Sequence, residues 1–454
     1  MVVIEHATIN GTQIQQMKDL SRNYYSWAQW PTGCLMEVIL QEKDAGKWVY
    51  RGEGAANLVL AYTGSCPTFI GKVMRIRKAP RSGAEAMTMR SPSALTAQER
   101  LLWKDVHELI SSPDNDIASQ QFVHHVMKPL LGSKFVDAGM LVRVTREFLE
   151  SIEKNVIYQR PPWRVDNALV DMHRHSVLLL SDHSLFTHGI EMPLRTCFSS
   201  KNNCYPLCMW NSGPKWGFLP LSRYISEETA VKRTITRFQM HQVLKLQQGE
   251  ISLLSKYNPL DLFSGSKERT FKAINDLFTS PQNNFRVFMN GTLIFGGLGC
   301  GAENTNIFIA KAFEDALKSV IRSDEGLRTE NLLTLVTEAV QKSGVIDRLL
   351  EVQKLDSVDI EGAIHAYYDV THQQCMVCRQ LGVEQRKRYT SLHSASLDES
   401  LRIVKDFLIA ATAKDCSFMI CFRPRKEGDS GSVCNNVYLQ STKQTFDFKS
   451  EGLI

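Results

Sequence analysis

The stretch Trp48-Val49-Tyr50-Arg51-Gly52-Glu53-Gly54-Ala55-Ala56-Asn57-Leu58-Val59-Leu60-Ala61-Tyr62 decides how the first part of this chain is read. An aromatic and β-branched run enters a turn of small residues, and a second apolar run leaves it. The next run, Thr68 to Lys78, also reads as a strand and places Lys72 and Arg75 within it. Glycines let backbone N–H groups come close to an anion, and a fixed cation on the next strand meets its charge. A dinucleotide-binding turn would need a helix here, and it would need a third glycine where Asn57 stands. An ordinary tight hairpin carries the same residues. The pattern alone leaves that alternative open, together with the choice between Lys72 and Arg75.

The chain has 454 residues, 43% apolar and 22% charged, with net charge +5. These values suit a soluble globular protein of two or three domains that meets anions more readily than cations. Eleven cysteines are scattered except for Cys375 and Cys378. Neither a secretory signal nor an apolar run of membrane-spanning length is visible. A reducing location, cytoplasmic and/or nuclear, is therefore expected.

Residues 1–35 read as an N-terminal extension, 36–180 as a β-rich unit and 181–454 as a larger, mainly helical unit. Residues 79–97 and 187–214 read as irregular. Helical periodicity marks 228–247, 267–278, 311–322, 328–342, 345–356 and 397–413. Val177-Leu178-Leu179-Leu180 reads as a short buried strand. Asn290-Gly291 between Phe285–Met289 and Thr292–Ile294 is a strong hairpin signal, because both turn residues accept positive φ.

Several groups carry chemistry. His365, Cys375, Cys378 and His393 can close a tetrahedron around one metal ion, with zinc the natural occupant. All four positions are filled by protein, so such a site is structural. Arg233, Arg237, His241 and Lys245 are four apart and predict a basic helical face, either solvated or facing a polyphosphate. Arg160-Pro161-Pro162-Trp163-Arg164 and Pro214-Lys215-Trp216 hold cations on stiff turns, and Asn283, Asn284 and Arg286 cluster ahead of the hairpin. Asp415 lies between a helix and the apolar strand Ser417 to Phe422. That place suits a catalytic base, a magnesium ligand or a simple turn cap.

Together these segments resemble the inositol-pentakisphosphate 2-kinase family, most closely its plant members, from about Met36 to Lys449. The likeness rests on ordered matches that include YRGEGAANLVLAY, GKVMRIRK, FVDAG, RPPWRV, SDHSLF, GPKWGFLP, RFQMHQVLKL, YNPLDLFSGS, PQNNFRVF, DIEGAIHAYYD and LIAATAKDCS. The resemblance implies an α+β, two-lobed kinase-like fold. A β-rich lobe with the glycine loop would cover ATP, and a larger, mainly helical lobe with the zinc site would hold the inositide. It implies transfer of the ATP γ-phosphate, with magnesium, to the 2-hydroxyl of inositol pentakisphosphate, giving the hexakisphosphate (phytate). Glu53, Gly54, Ala55, Ala56 and Asn57 would lie over the ATP phosphates. Arg75 would reach them, Arg286 would lie nearby, and Ser181-Asp182-His183 would form the hinge beside the adenine. Arg164, Lys215, Arg237, His241, Lys245 and Asn283 would line the inositide pocket, and Asp415 would be the base. His365, Cys375, Cys378 and His393 match the family's zinc ligands.

Five phosphates bring roughly −8 to −10 of charge, which only a pocket dense in Arg, Lys and His can hold. Two departures from the family pattern stand out. Gly213 occupies the place of a phosphate-contacting lysine, and the chain ends at Ile454, ahead of the family's magnesium-binding Asp-Leu-Ser-Leu-Lys-Pro motif. These lead to an expectation of little or no turnover for the chain as written, with a non-catalytic inositide- or partner-binding isoform as the alternative. A monomer with no membrane or nucleic-acid partner is expected.

Overall fold

The computed structural model describes residues 38–54, 56–81, 94–183, 207–212, 222–249, 251–280, 285–289, 292–296, 307–425 and 435–451. The expected extension 1–35 lies outside them. Two sheets organise the rest. The first contains β1 (Ile39–Leu40), β2 (Trp48–Glu53), β3 (Asn57–Tyr62), β4 (Lys72–Pro80), β5 (Met140–Val144), β6 (Ala168–Val170) and β7 (Ser176–Ser181). Its order is β1-β5-β7-β4-β3-β2, with β6 on the far end of β4. β1 and β5 are parallel, and the other pairs are antiparallel.

The second sheet contains β8 (Leu207–Ser212), β9 (Phe285–Met289), β10 (Thr292–Phe295), β11 (Ser417–Pro424), β12 (Asn435–Leu439) and β13 (Gln444–Glu451). Its order is β10-β9-β8-β11-β13-β12, antiparallel throughout.

β7 lies between two cores, which explains its unbroken apolar run. Val177 and Leu179 point into a core with Leu58, Leu60, Met74 and Ile76. The helix Arg146–Val156 closes that core with Phe148, Leu149, Ile152 and Val156, spaced to share one face. Thr145 starts this helix by accepting a hydrogen bond from the Phe148 N–H at 3.2 Å. Leu178 and Leu180 point the other way, into the larger core. There they join Phe418, Ile420 and Phe422 of β11 and the helices Arg328–Ser343, Val345–Gln353, Asp359–Val370 and Leu397–Asp415. Each fully buried side chain of this size is worth about 1.5–3 kcal/mol.

The buried strand, the Asn-Gly hairpin and most of the periodic helices form within a few residues of their expected bounds. The expected 311–322 helix forms earlier, as Ile307–Leu317. Three expectations need correction. Thr68–Gly71 is a turn: Ile70 N–H bonds Cys66 O at 3.1 Å, and Gly71 has φ +70°, so β4 begins only at Lys72. Second, neither part is purely of one kind, although the later part is mainly helical. Helices Ala97–Leu102, Asn115–Phe122 and Arg146–Val156 belong to the first part. The later part contains the second sheet, and β8 falls within a segment read as irregular. Third, the 228–247 helix is broken into a 3-10 turn at Ala230–Arg233 and the helix Arg237–Gln247.

Thr236 causes that break. Its Oγ1 accepts from Gln239 N–H at 3.3 Å, and the Gln239 side chain accepts from Thr236 N–H at 2.8 Å. This reciprocal cap fixes the helix start. No helix among the described residues is long and apolar enough to cross a membrane. Thr236→Ala should cost about 1 kcal/mol in a urea melt by removing one half of the cap; an unchanged midpoint would show that the cap is idle.

Candidate active site and metal centre

The turn between β2 and β3 is tight. Gly54 N–H donates to Asn57 O at 2.9 Å, and a bulge follows Tyr50, where Gly52 pairs with Val59. A Cβ built on Gly52 or Gly54 meets nothing within 4 Å, and neither glycine has a positive φ. Neither torsion nor packing demands glycine here, so the small residues leave the outer side of the turn open. Ala55 lies outside the described residues. Glu53 departs from the expected role. Its carboxylate is only 1% exposed and turns inward to Lys78 and Arg160.

β4 separates the two cations that the sequence left equivalent. Lys72 donates to Ser181 Oγ at 3.3 Å. Arg75 faces the opposite side of the strand from buried Met74 and Ile76, beside Asn57, Arg77, Asp116, Arg174 and Ser176 around a small recess. Burial pulls its guanidinium down to about 10, with Asp137 opposing. A desolvated cation without a direct partner is costly, and an anion removes that cost. Arg174 does not add to the free charge, because it pairs with Asp116 at 2.6 Å and Asp171 at 3.0 Å.

The Ser181-Asp182-His183 segment leaves β7 under firm control. Asp137 accepts from the backbone N–H of Ser181 at 2.7 Å and of Gly139 at 2.9 Å, and lies 3.1 Å from His183 Nε2. Gly139 has φ +58°, and a Cβ there would strike Leu179 O. Asp182 N–H bonds Gly71 O at 2.8 Å, and the His183 carbonyl accepts from the Cys421 thiol of β11. The first sheet is thus joined to the second at this segment.

Asp415 is the last residue of the helix Leu397–Asp415 and the exposed residue between buried Lys414 and Cys416. Lys414 donates to Asp356 at 2.6 Å, and burial pushes the Cys416 thiol up to about 12. Ser417 pairs with Ser212, and Phe285 pairs with Asn211. The end of β8 and the starts of β9 and β11 therefore meet at one end of the second sheet. Asp415 and Arg286 share that end. Lys215, Asn283 and Gly213 lie outside the described residues.

Arg237, His241 and Lys245 keep one helical face. Arg233 does not belong to it: it sits in the preceding turn and donates to Ile225 O at 2.9 Å. Arg164 stacks at 4.0 Å on the Trp163 ring, close enough to the glycine turn to lower the Lys78 ammonium together with the larger effect of burial. Arg75, Arg164, Arg237 and Lys245 form no ion pair with any described carboxylate.

His365, Cys375, Cys378 and His393 do converge, with their ligand atoms all within 4.8 Å of one another. His365 Nδ1 lies 3.3 Å from Cys375 Sγ, 3.4 Å from Cys378 Sγ and 3.2 Å from His393 Nε2. Tetrahedral ligands at ordinary zinc distances would be roughly 3.3–3.8 Å apart. Thiol and imidazole donors at these spacings can hold a metal ion. Asp369 was not foreseen, although its place four residues after His365 on a helix is a readable signal. It accepts from His393 Nδ1 at 2.9 Å, which frees Nε2 to face the cluster.

Asp137 offers a test of how this segment is held. Burial opposes its ionisation, but the bonds from His183 and two backbone N–H groups win, so its carboxyl is held below the ordinary range. A depressed carboxylate adds stability above its unfolded pKa near about 4, and that stability is lost as pH falls further. Asp137→Asn should cost roughly 2 kcal/mol at pH 7, with the gap to the parent protein narrowing in urea melts near pH 3. A gap independent of pH would refute the assignment.

A model of the family described as inositol-pentakisphosphate 2-kinase matches residues 50–451. The chain is 53% identical over 415 residues to the inositol-pentakisphosphate 2-kinase of Arabidopsis thaliana, covering 91% of this chain and 89% of that one. Identity to the Oryza sativa subsp. indica protein of the same description is 45% over 419 residues, with 91% and 89% covered. The Danio rerio protein is 27% identical over 449 residues, with 86% of each chain covered. By these matches the chain belongs to the inositol-pentakisphosphate 2-kinase family.

Proposed function

We propose that this protein transfers the γ-phosphoryl group of ATP to the 2-hydroxyl of inositol pentakisphosphate, giving the hexakisphosphate. The observation that carries this reading is the set of cations with no carboxylate partner among the described residues, Arg75, Arg164, Arg237 and Lys245. Elsewhere the same protein pairs Arg160, Arg174, Lys232, Arg402 and Lys414 with carboxylates. A substrate bearing roughly −8 to −10 of charge accounts for cations left open.

In this mechanism two lobes, one around each sheet, enclose the substrates. The open glycine turn and Arg75 hold the ATP tail, with Arg286 beside it. Ser181-Asp182-His183 flanks the adenine. Arg164, Arg237, His241 and Lys245, with Lys215 and Asn283, grip the inositide phosphates. Asp415 accepts the proton of the attacking 2-hydroxyl. Its exposure leaves it accessible, and the buried Lys414 and Cys416 on either side fix its direction. Magnesium, when bound, neutralises charge on the transferring phosphate. His365, Cys375, Cys378 and His393 would hold a zinc ion and could fill all of its tetrahedral positions, so the metal would stabilise the fold and take no part in the reaction.

Two experiments test this reading. Asp415→Asn should lower ATP-dependent hexakisphosphate formation by about a hundredfold or more, while calorimetric affinities for both substrates stay within about threefold. Equal turnover would remove Asp415 from the role of base. Metal analysis should find one zinc per chain, and Cys378→Ser should lose it, with a stability loss of several kcal/mol, of the order seen for closed zinc sites. Full stability in the metal-free protein would refute the structural role.

A further inference from the structure

We infer that Cys208 and Cys421 form a thiol pair that a peroxide oxidises to a disulfide, and that this bond releases the Ser181-Asp182-His183 segment from the second sheet. The effect on nucleotide binding rests on the function proposed above; the disulfide itself does not. Cys208 lies on β8 and Cys421 on β11, and the two are direct partners in the antiparallel register, between the pairs Met209–Ile420 and Leu207–Phe422. Only the fold brings them together, since they lie far apart in the sequence. Residues on one rung of an antiparallel pair belong to the same face, with Cα atoms about 4.5 or 5.5 Å apart. Both spacings fall within the roughly 4.4–6.8 Å that a disulfide spans. The backbone therefore needs no shift to bring these two residues within bonding reach. Ile420 and Phe422 join the larger core, so Cys421 belongs to the opposite face of the sheet. There its thiol donates to the His183 carbonyl. Cys421 is 4% exposed, a place that suits a small oxidant.

The chemistry balances with hydrogen peroxide. One sulfur, as thiolate, attacks the O–O bond and becomes a sulfenic acid, and the departing oxygen leaves as water. The second thiol attacks that sulfur, the S–S bond forms, and the sulfenic hydroxyl leaves as a second water. Two thiols thus lose two electrons and two protons, and one peroxide becomes two waters. The Cys421 sulfur then carries no hydrogen and cannot donate to the His183 carbonyl. The bond that ties this segment to the second sheet is lost. Asp137 still accepts from the Ser181 N–H on the first sheet, so the segment loosens at one end without unfolding. Thiol reductants reverse the disulfide by exchange and restore the donor.

The test treats the full chain with an equimolar amount of hydrogen peroxide. Digestion without reductant, followed by mass spectrometry, should find a peptide pair joined through Cys208 and Cys421, and dithiothreitol should abolish it. Calorimetry with magnesium and adenylyl imidodiphosphate should show roughly two- to tenfold weaker binding in the oxidised protein, the loss expected of one hydrogen bond, with recovery in dithiothreitol. Cys208→Ser should form no such bond and should keep its nucleotide affinity through the same peroxide treatment, which separates this pair from oxidation at the other cysteines. Untreated, this variant should bind the nucleotide analogue within about twofold of the parent, because the Cys421 donor remains. Should Cys208→Ser fail to fold, Cys208→Ala carries the same test. Absence of the joined peptide, or a bond from Cys421 to another cysteine, overturns the pair. A Cys208–Cys421 bond that leaves nucleotide affinity unchanged overturns the release of the segment. A reduced parent that binds no nucleotide overturns the proposed function instead, and the peptide map still decides the pair.

Discussion

Positive charge left without a carboxylate must be held by something rigid, and β7 provides the anchor for that rigidity. Its alternate residues enter two different cores, so neither face can slide without exposing apolar surface. β4 lies directly against it, with Arg75 paired to Leu178 in register and Met74 to Leu179. Arg75 is thereby presented on a strand whose neighbour cannot shift. The Ser181-Asp182-His183 segment continues from the same strand, and Asp137 clamps its first backbone N–H. Arg75 and the Ser181-Asp182-His183 segment thus share one doubly buried support.

Two groups of charges in this protein follow opposite logic. Glu53, Lys78, Arg160 and Glu153 are buried and mutually satisfied, and so are Lys414 and Asp356. These hold segments in place. Arg164, Arg237 and Lys245 extend from short helices or helix faces with no described carboxylate to answer them. Intramolecular pairing would compete with a polyphosphate ligand for the same donors.

Local patterns in the sequence were legible where the cause was local. The β2–β3 turn, the Asn290-Gly291 hairpin and the cysteine–histidine set depend on residues close together or on a chemistry that few residue types can supply. β8 was not legible. Leu207-Cys208-Met209-Trp210-Asn211-Ser212 has little β-branched character, and its strand state comes from β9 and β11, which pair with it on both edges from far along the chain. Thr68 to Gly71 had strand composition, but the left-handed Gly71 overrides it. Glu53 was assigned by its place in the turn, whereas its true partner Arg160 is 107 residues away. The break before Arg237 was readable in principle, since Thr236 and Gln239 have capping-box spacing.

The metal cluster has a structural consequence beyond its own loop. His365 sits on the helix Asp359–Val370, whose first turn carries Asp359 and Glu361. Lys232, at the base of the basic helix, pairs with both of these acids. Asp356, just ahead of the same helix, accepts from Lys414 and from the Asp359 N–H at 2.7 Å. One helix end therefore orients the segment leading to Arg237 and the residue next to Asp415. Its other half is held by His365, which stacks on Tyr389 at 3.8 Å, and by Asp369, which binds His393. Tyr389 in turn donates to Tyr224 O at 3.2 Å, in the chain that leads toward the basic helix. A bound metal would tighten this whole assembly from a distance, because the helix transmits its position along a rigid axis.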